Sequence, residues 1–132
     1  MHQALLPEGW KRPKGYANGV LSARGRQVHV AGMVGWDASE QFTSDDFAEQ
    51  ARQTLRNTVQ VLAAGGARPE HIVRMTWYVT DKREYLRALP EVGRAFREII
   101  GSYTIAMAAV QVVALMEDRA KIEIETTAVI PD

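Results

Sequence analysis

Apolar residues recur along this chain at two spacings, and the spacing changes with the type of element. Phe47, Ala51, Leu55, Val59 and Leu62 fall every three to four positions, which makes one apolar stripe on a helix. Arg52, Gln53, Arg56 and Gln60 lie largely off that stripe. Thr43 or Ser44 is placed to cap the helix, and Asp45 and Asp46 suit the positive end of its dipole. Gly65-Gly66 stops it, because Gly accepts left-handed C-terminal geometry. Ile72–Val79 instead alternates. Val73, Met75, Trp77 and Val79 share one face, and Arg74, Thr76 and Tyr78 the other, as in a strand. A second helix follows, with Asp81 as its cap and Glu84 in a capping-box position. Pro90 falls inside its pattern and predicts a kink or restart near Leu89. Val92, Phe96, Ile99 and Ile100 carry the apolar face on to Gly101.

Residues 1–14, with Pro7, Gly9 and Pro13, read as an extended lead-in. Tyr16–Ala23 and Gln27–Val34 are two β-type runs, and Arg24-Gly25-Arg26 between them predicts a hairpin. Gly35-Trp36-Asp37 opens a loop to about Phe42. Thr104–Leu115 and Lys121–Ile130 are the last strands, joined by the turn Met116–Arg119. The order β-β-α-β-α-β-β predicts an α+β fold, a mixed sheet with two helices on one face. The last strand alternates Ile122 and Ile124 with Glu123 and Glu125, so its second face meets water, a site or a wet subunit interface.

Composition narrows the function classes. A length of 132 residues predicts one domain over 1–132. Sixteen Lys+Arg balance 16 Asp+Glu, so neither nucleic acid nor an anionic membrane is expected as a partner. The absence of Cys removes disulfides, thiolate nucleophiles and cysteine-ligated metals. No apolar run approaches the ~20 residues of a membrane span, and Met1–Arg12 has no secretory-signal pattern, so a cytoplasmic location is expected. His2, His29 and His71 lack metal-ligand spacing, and phosphate-cradling loops and G-x-S-x-G are absent; no metal or cofactor is predicted. His29 reads as a strand-face histidine satisfied by a neighbour. Trp10, Trp36 and Trp77 read as core or interface packing, since no basic patch accompanies them. What remains is Tyr16, Arg83, Glu123 and Glu125, polar groups in or beside strands. A strand carboxylate is a functional candidate or a member of a solvated, ion-paired sheet face, and composition leaves both open.

Four segments resemble the Rid (reactive intermediate deaminase, YjgF-like) family over residues 15–130. They are Gly15-Tyr16-Ala17-Asn18-Gly19-Val20, Val28-His29-Val30-Ala31-Gly32-Met33, a helix-and-strand block, and Val110-Gln111-Val112 followed by Ile122-Glu123-Ile124-Glu125-Thr126-Thr127-Ala128-Val129. The helix-and-strand block runs Gln50-Ala51-Arg52-Gln53-Thr54-Leu55-Arg56-Asn57, Leu62-Ala63-Ala64-Gly65-Gly66 and Val73–Asp81. The resemblance implies a chorismate-mutase-like α+β fold, a homotrimer with sites between subunits, and cofactor-independent hydrolysis of 2-iminoacids to a keto acid and ammonia. An iminium carbon is already electrophilic, so such a site mainly binds substrate, places a water and manages protons. Carried over by residue, the resemblance implies Tyr16 and Glu123 as catalytic, Glu123 positioning the water, and Gly32 as substrate-binding. Three pocket positions depart from the family: its Ser is Ala31, its Asn falls at Arg83, and its carboxylate-gripping Arg is Met107. The turn before Glu123 is also one residue longer, and a slip by one would exchange faces.

Three functions follow from this pattern. The first is an imine or enamine hydrolase with altered specificity, Arg83 replacing the lost positive charge and Met107 and Ala31 suiting a bulkier substrate. The second is a non-catalytic ligand-binding or scaffold trimer. The third, a ribonuclease-type activity, fits a neutral chain without paired His and Lys least well.

Overall fold

The structure, a computed structural model, describes residues 1–102 and 104–132. In chain order its elements are β1 (Gln3–Leu5), β2 (Gly19–Leu21), β3 (Gly25–Val34), α1 (Phe47–Ala64), a 3-10 turn (Pro69–His71), β4 (Ile72–Val79), α2 (Lys82–Arg87), α3 (Leu89–Ile99), β5 (Ala106–Gln111) and β6 (Ile122–Pro131). The main sheet runs β3-β6-β4-β5, with β4 and β5 parallel and the other neighbours antiparallel. This is the α+β class with a mixed sheet.

The stripe on α1 is the core stripe. Phe47, Ala51, Leu55 and Leu62 are buried against Val92 and Ala95 of α3 and against Val30, Met75, Trp77, Ile122 and Ile124 of the sheet. Asp46 caps α1, its carboxylate accepting from the Glu49 N–H, while Ser44 Oγ accepts from the Asp46 N–H. The cap therefore lies two or three residues beyond Thr43 and Ser44, because Asp46 is the last residue with extended backbone. At the other end Gly66 takes the left-handed φ of 82°, as a helix stop requires. Pro90 divides the second helical pattern, which ends as α2 at Arg87 and restarts as α3 at Leu89. Asp81 Oδ1 accepts from the Arg83 and Glu84 N–H groups. The Glu84 carboxylate does not complete a capping box; it pairs with Lys121 Nζ at 2.9 Å.

Strand pairing departs from the sequence expectation in two places. Arg24-Gly25-Arg26 is not a hairpin turn. β2 pairs with β1, and β3, which already includes Gly25, pairs with β6. Gly25 is needed because a Cβ there would collide with the Ile130 carbonyl. The lead-in is thus partly a strand, and His2 ties it down. Its Nδ1 accepts from the Ala23 N–H, and its Nε2 lies 3.0 Å from the Val129 carbonyl and 3.2 Å from that of His71. The second departure is that Thr104–Leu115 narrows to β5, which lies beside β4, while β6 inserts between β3 and β4. Met116–Arg119 therefore closes no hairpin. A bulge between Ile72 and Arg74 also moves Val73 out of the core row, so that Ile72 is buried in its place.

Polar residues of α1 set this arrangement. Gln50, 1 % exposed, donates from Nε2 to the carbonyls of Ser44 and Arg119 and accepts at Oε1 from the Lys121 N–H. Asn57 Nδ2 donates to the carbonyls of Val34 and Trp36. One helix thus fixes the exit of β3 and the entry of β6.

Candidate active site

Register decides which side chains share a face. Val30, Thr126, Met75 and Met107 form one row across β3, β6, β4 and β5, and Met75 is fully buried beneath the helices. One residue along each strand, rows turn to the other face. Val34, Glu123, Tyr78 and Val110 make one such row, and Glu125, Thr76 and Ala108 another. Glu123 is not turned into the core: Ile122 and Ile124 are fully buried and Glu123 points away.

On this open face Ala31 and Gly32 form a bulge, two residues of β3 opposite Glu125 alone. The bulge brings Gly32 against Glu123 so closely that a Cβ at position 32 would overlap the Glu123 carboxylate. Beside it the Tyr78 hydroxyl donates to Glu125 Oε1 at 2.6 Å. That bond, then desolvation and the two carboxylates, raises the phenol above its ordinary pKa. The face therefore holds two carboxylates on alternate β6 positions, one engaged by a phenol and the other flanking a glycine.

Tyr16 and Met107 lie elsewhere. The Ala17 N–H donates to the Ile105 carbonyl at 2.9 Å, which lays residues 16–18 along the start of β5. Between this segment, β5 and α3 is a cleft of about 700 Å³. Tyr16, Met107, Trp77, Leu89, Phe96 and Arg97 line it. Met107 is half-buried and packs on the core cluster. Arg12 and Lys14 also line the cleft, and no acidic residue among the described residues does. Burial raises the phenol of Tyr85, a further lining residue, which stacks edge-on with Trp77 and Phe47.

Within one chain the candidates therefore fall into two groups, Tyr16 with Met107 at the cleft and Gly32 with Ala31 and Glu123 on the open face. Arg83 belongs to neither. It is exposed in the first turn of α2, its N–H bonded to the Asp81 carboxylate, and it does not line the cleft. Arg97 and Trp77, which do line it, were not singled out as site residues by the sequence; the one signal was Gly93, a helix-weakening residue one turn before Arg97. Among the described residues no group of three or more His, Asp or Glu side chains is placed to hold a metal ion. No helix among them is long and apolar enough to cross a membrane.

Residues 11–130 match the family model described as Endoribonuclease L-PSP. The chain belongs to this family, the Rid (YjgF) family. Among Rid relatives, a human protein named 2-iminobutanoate/2-iminopropanoate deaminase is 31% identical over 105 residues, 79% of this chain and 73% of that one. Protein DfrA of Myxococcus xanthus is 32% identical over 115 residues, 86% of this chain and 84% of that one. The Rid protein YyfB of Yersinia pestis, described as of unknown function, superposes with a TM-score of 0.86 at 30% identity, covering 98% of both chains. The family thus contains proteins named as deaminases, and the Rid fold extends over nearly the whole chain.

Proposed function

We propose that this Rid protein is a cofactor-independent hydrolase of a reactive imine or enamine. It works as a cytoplasmic homotrimer in which the cleft of one subunit meets the open face of the next. One observation carries the reading: Tyr16 and Met107 lie on one side of the sheet and Gly32 and Glu123 on the other. A site containing all four needs a second copy of the chain. In that site Glu123 accepts a proton from a water as the water oxygen attacks the iminium carbon. The C=N pair moves to nitrogen, and Glu123 returns its proton to that nitrogen; as the carbinolamine hydroxyl gives its proton to Glu123 and through it to solvent, the C–N bond breaks, expelling ammonia and leaving a carbonyl. Gly32, lacking a side chain, leaves room for substrate beside Glu123. Tyr16 supplies a hydroxyl at the cleft wall.

Met107 sets the specificity. A thioether has no charge and no donor, so the bidentate grip of a guanidinium on a small carboxylate is absent at this position. The same substitution favours a second reading, a ligand-binding trimer without catalysis. Ammonia release from a panel of freshly generated imines separates the two. Release that vanishes in Glu123→Gln supports the hydrolase, and none from any imine supports the binding protein.

A further inference from the structure

The cleft carries recognition chemistry that none of the family positions accounts for. Its volume of about 700 Å³ is that of a drug-sized ligand site and several times the space a three-carbon acid fills. Its walls include Leu89, Phe96 and Met107, while its charged lining residues are Arg12, Lys14 and Arg97, with no Asp or Glu among the described residues that line it. None of the ion pairs among the described residues engages these three cations. Arg97 is exposed on α3, and its side chain runs back along the helix, Nη1 lying 3.4 Å from where a Cβ of Gly93 would be. Gly93 lines the cleft as well, so the missing side chain leaves the guanidinium a path over the helix surface.

The second observation is independent of charge. Trp77 is 2% exposed and lines the cleft, and its indole Nε1 has no hydrogen-bond partner among the described residues. A buried donor without an acceptor is costly and calls for explanation.

We infer that the substrate is an anion with a large apolar, aromatic-sized body, its acid group held by Arg97 and an acceptor on it taking the Trp77 N–H. This rests on the cleft being the site proposed above and names the substrate class of that site. Arg97 and Trp77 are then its specificity-determining residues, and Arg97 rather than Arg83 supplies the charge that Met107 lacks.

Calorimetric titration of the full-length protein with phenylpyruvate and with pyruvate, the stable keto acids of a large and a small imino acid, tests this without any turnover. Phenylpyruvate should bind at least about tenfold tighter than pyruvate. Arg97→Gln should weaken it about tenfold or more, as expected for a hydrogen bond to a charged group. Arg97→Lys should retain most of the affinity. Arg97 is exposed, so these variants do not threaten the core. Trp77→Phe, checked for folding by near-ultraviolet circular dichroism, should weaken phenylpyruvate as well. Equal affinity for the two acids, no binding of phenylpyruvate, or equal affinity in wild type and Arg97→Gln would overturn the inference. Binding as described without ammonia release from any imine would instead sink the hydrolase reading and leave the ligand class standing. Ammonia release with affinity indifferent to Arg97 would do the reverse.

Discussion

The cleft and the open face use one sheet in opposite ways. The open face is built by strands alone: Glu123, Glu125, Tyr78 and Gly32 are held by ladder register, and the Tyr78–Glu125 bond spans neighbouring strands. The cleft is built by elements docked on the edge strand β5, with residues from the N-terminal segment, α3 and the strand itself. One face offers carboxylates on a rigid frame, suited to handling protons. The other offers cations on flexible stems around apolar walls, suited to choosing a ligand.

The sharpest way to break this division is Glu123→Gln. It should lower ammonia release by about a hundredfold or more, the usual contribution of a general base, while phenylpyruvate binding at the cleft persists in calorimetry. Mixing Glu123→Gln subunits with Tyr16→Phe subunits, unfolded and refolded together, should restore part of the activity that each lacks alone. Failure of both mixtures and single variants to differ would place all the chemistry in one chain.

Met107→Arg probes the cleft. Wild type should hydrolyse 2-iminopropanoate at least about a hundredfold less efficiently in kcat/KM than an Arg-bearing relative, from the loss of two charge-assisted hydrogen bonds. The variant should gain measurable release of ammonia, and Ala31→Ser beside it should add to the gain. Wild type matching the Arg-bearing relative would remove Met107 from any role in specificity.

Gln50→Ala tests what holds the open face in register. It leaves the Lys121 N–H and the Ser44 and Arg119 carbonyls without their partner. A loss of about 2–3 kcal/mol in chemical denaturation is expected, with activity falling as the entry of β6 loosens. The smallest effect is at Tyr78. Its folded pKa is raised, first by donation to Glu125, so its contribution to stability is complete below the ordinary phenol value of about 10 and fades as pH rises through the folded value. Glu125→Gln should lower the Tyr78 phenolate transition in a spectrophotometric titration, and an unchanged transition would show that the bond does not persist in solution.

Local physics made much of the fold legible. The α1 stripe, the strand Ile72–Val79, the Asp81 cap and the break at Pro90 all follow from periodicity, side-chain acceptors and proline sterics within a few residues of one another. The resemblance also brought Tyr16, Ala31, Gly32, Arg83, Met107 and Glu123 forward as one set, of which Arg83 stands apart in the first turn of α2. The sequence could not say which strand neighbours which. Gly25 reads as a turn until Ile130, far along the chain, approaches its Cα, and β5 reads as the partner of β6 until parallel pairing sets it beside β4. Pairing is non-local, and one residue of register exchanges a side chain between core and surface. For the same reason only the tertiary structure separated Met107, in the row of buried Met75, from Glu123, in the row of Tyr78. It likewise gathered Arg97, Trp77 and the basic N-terminal segment, distant in sequence, around one cleft.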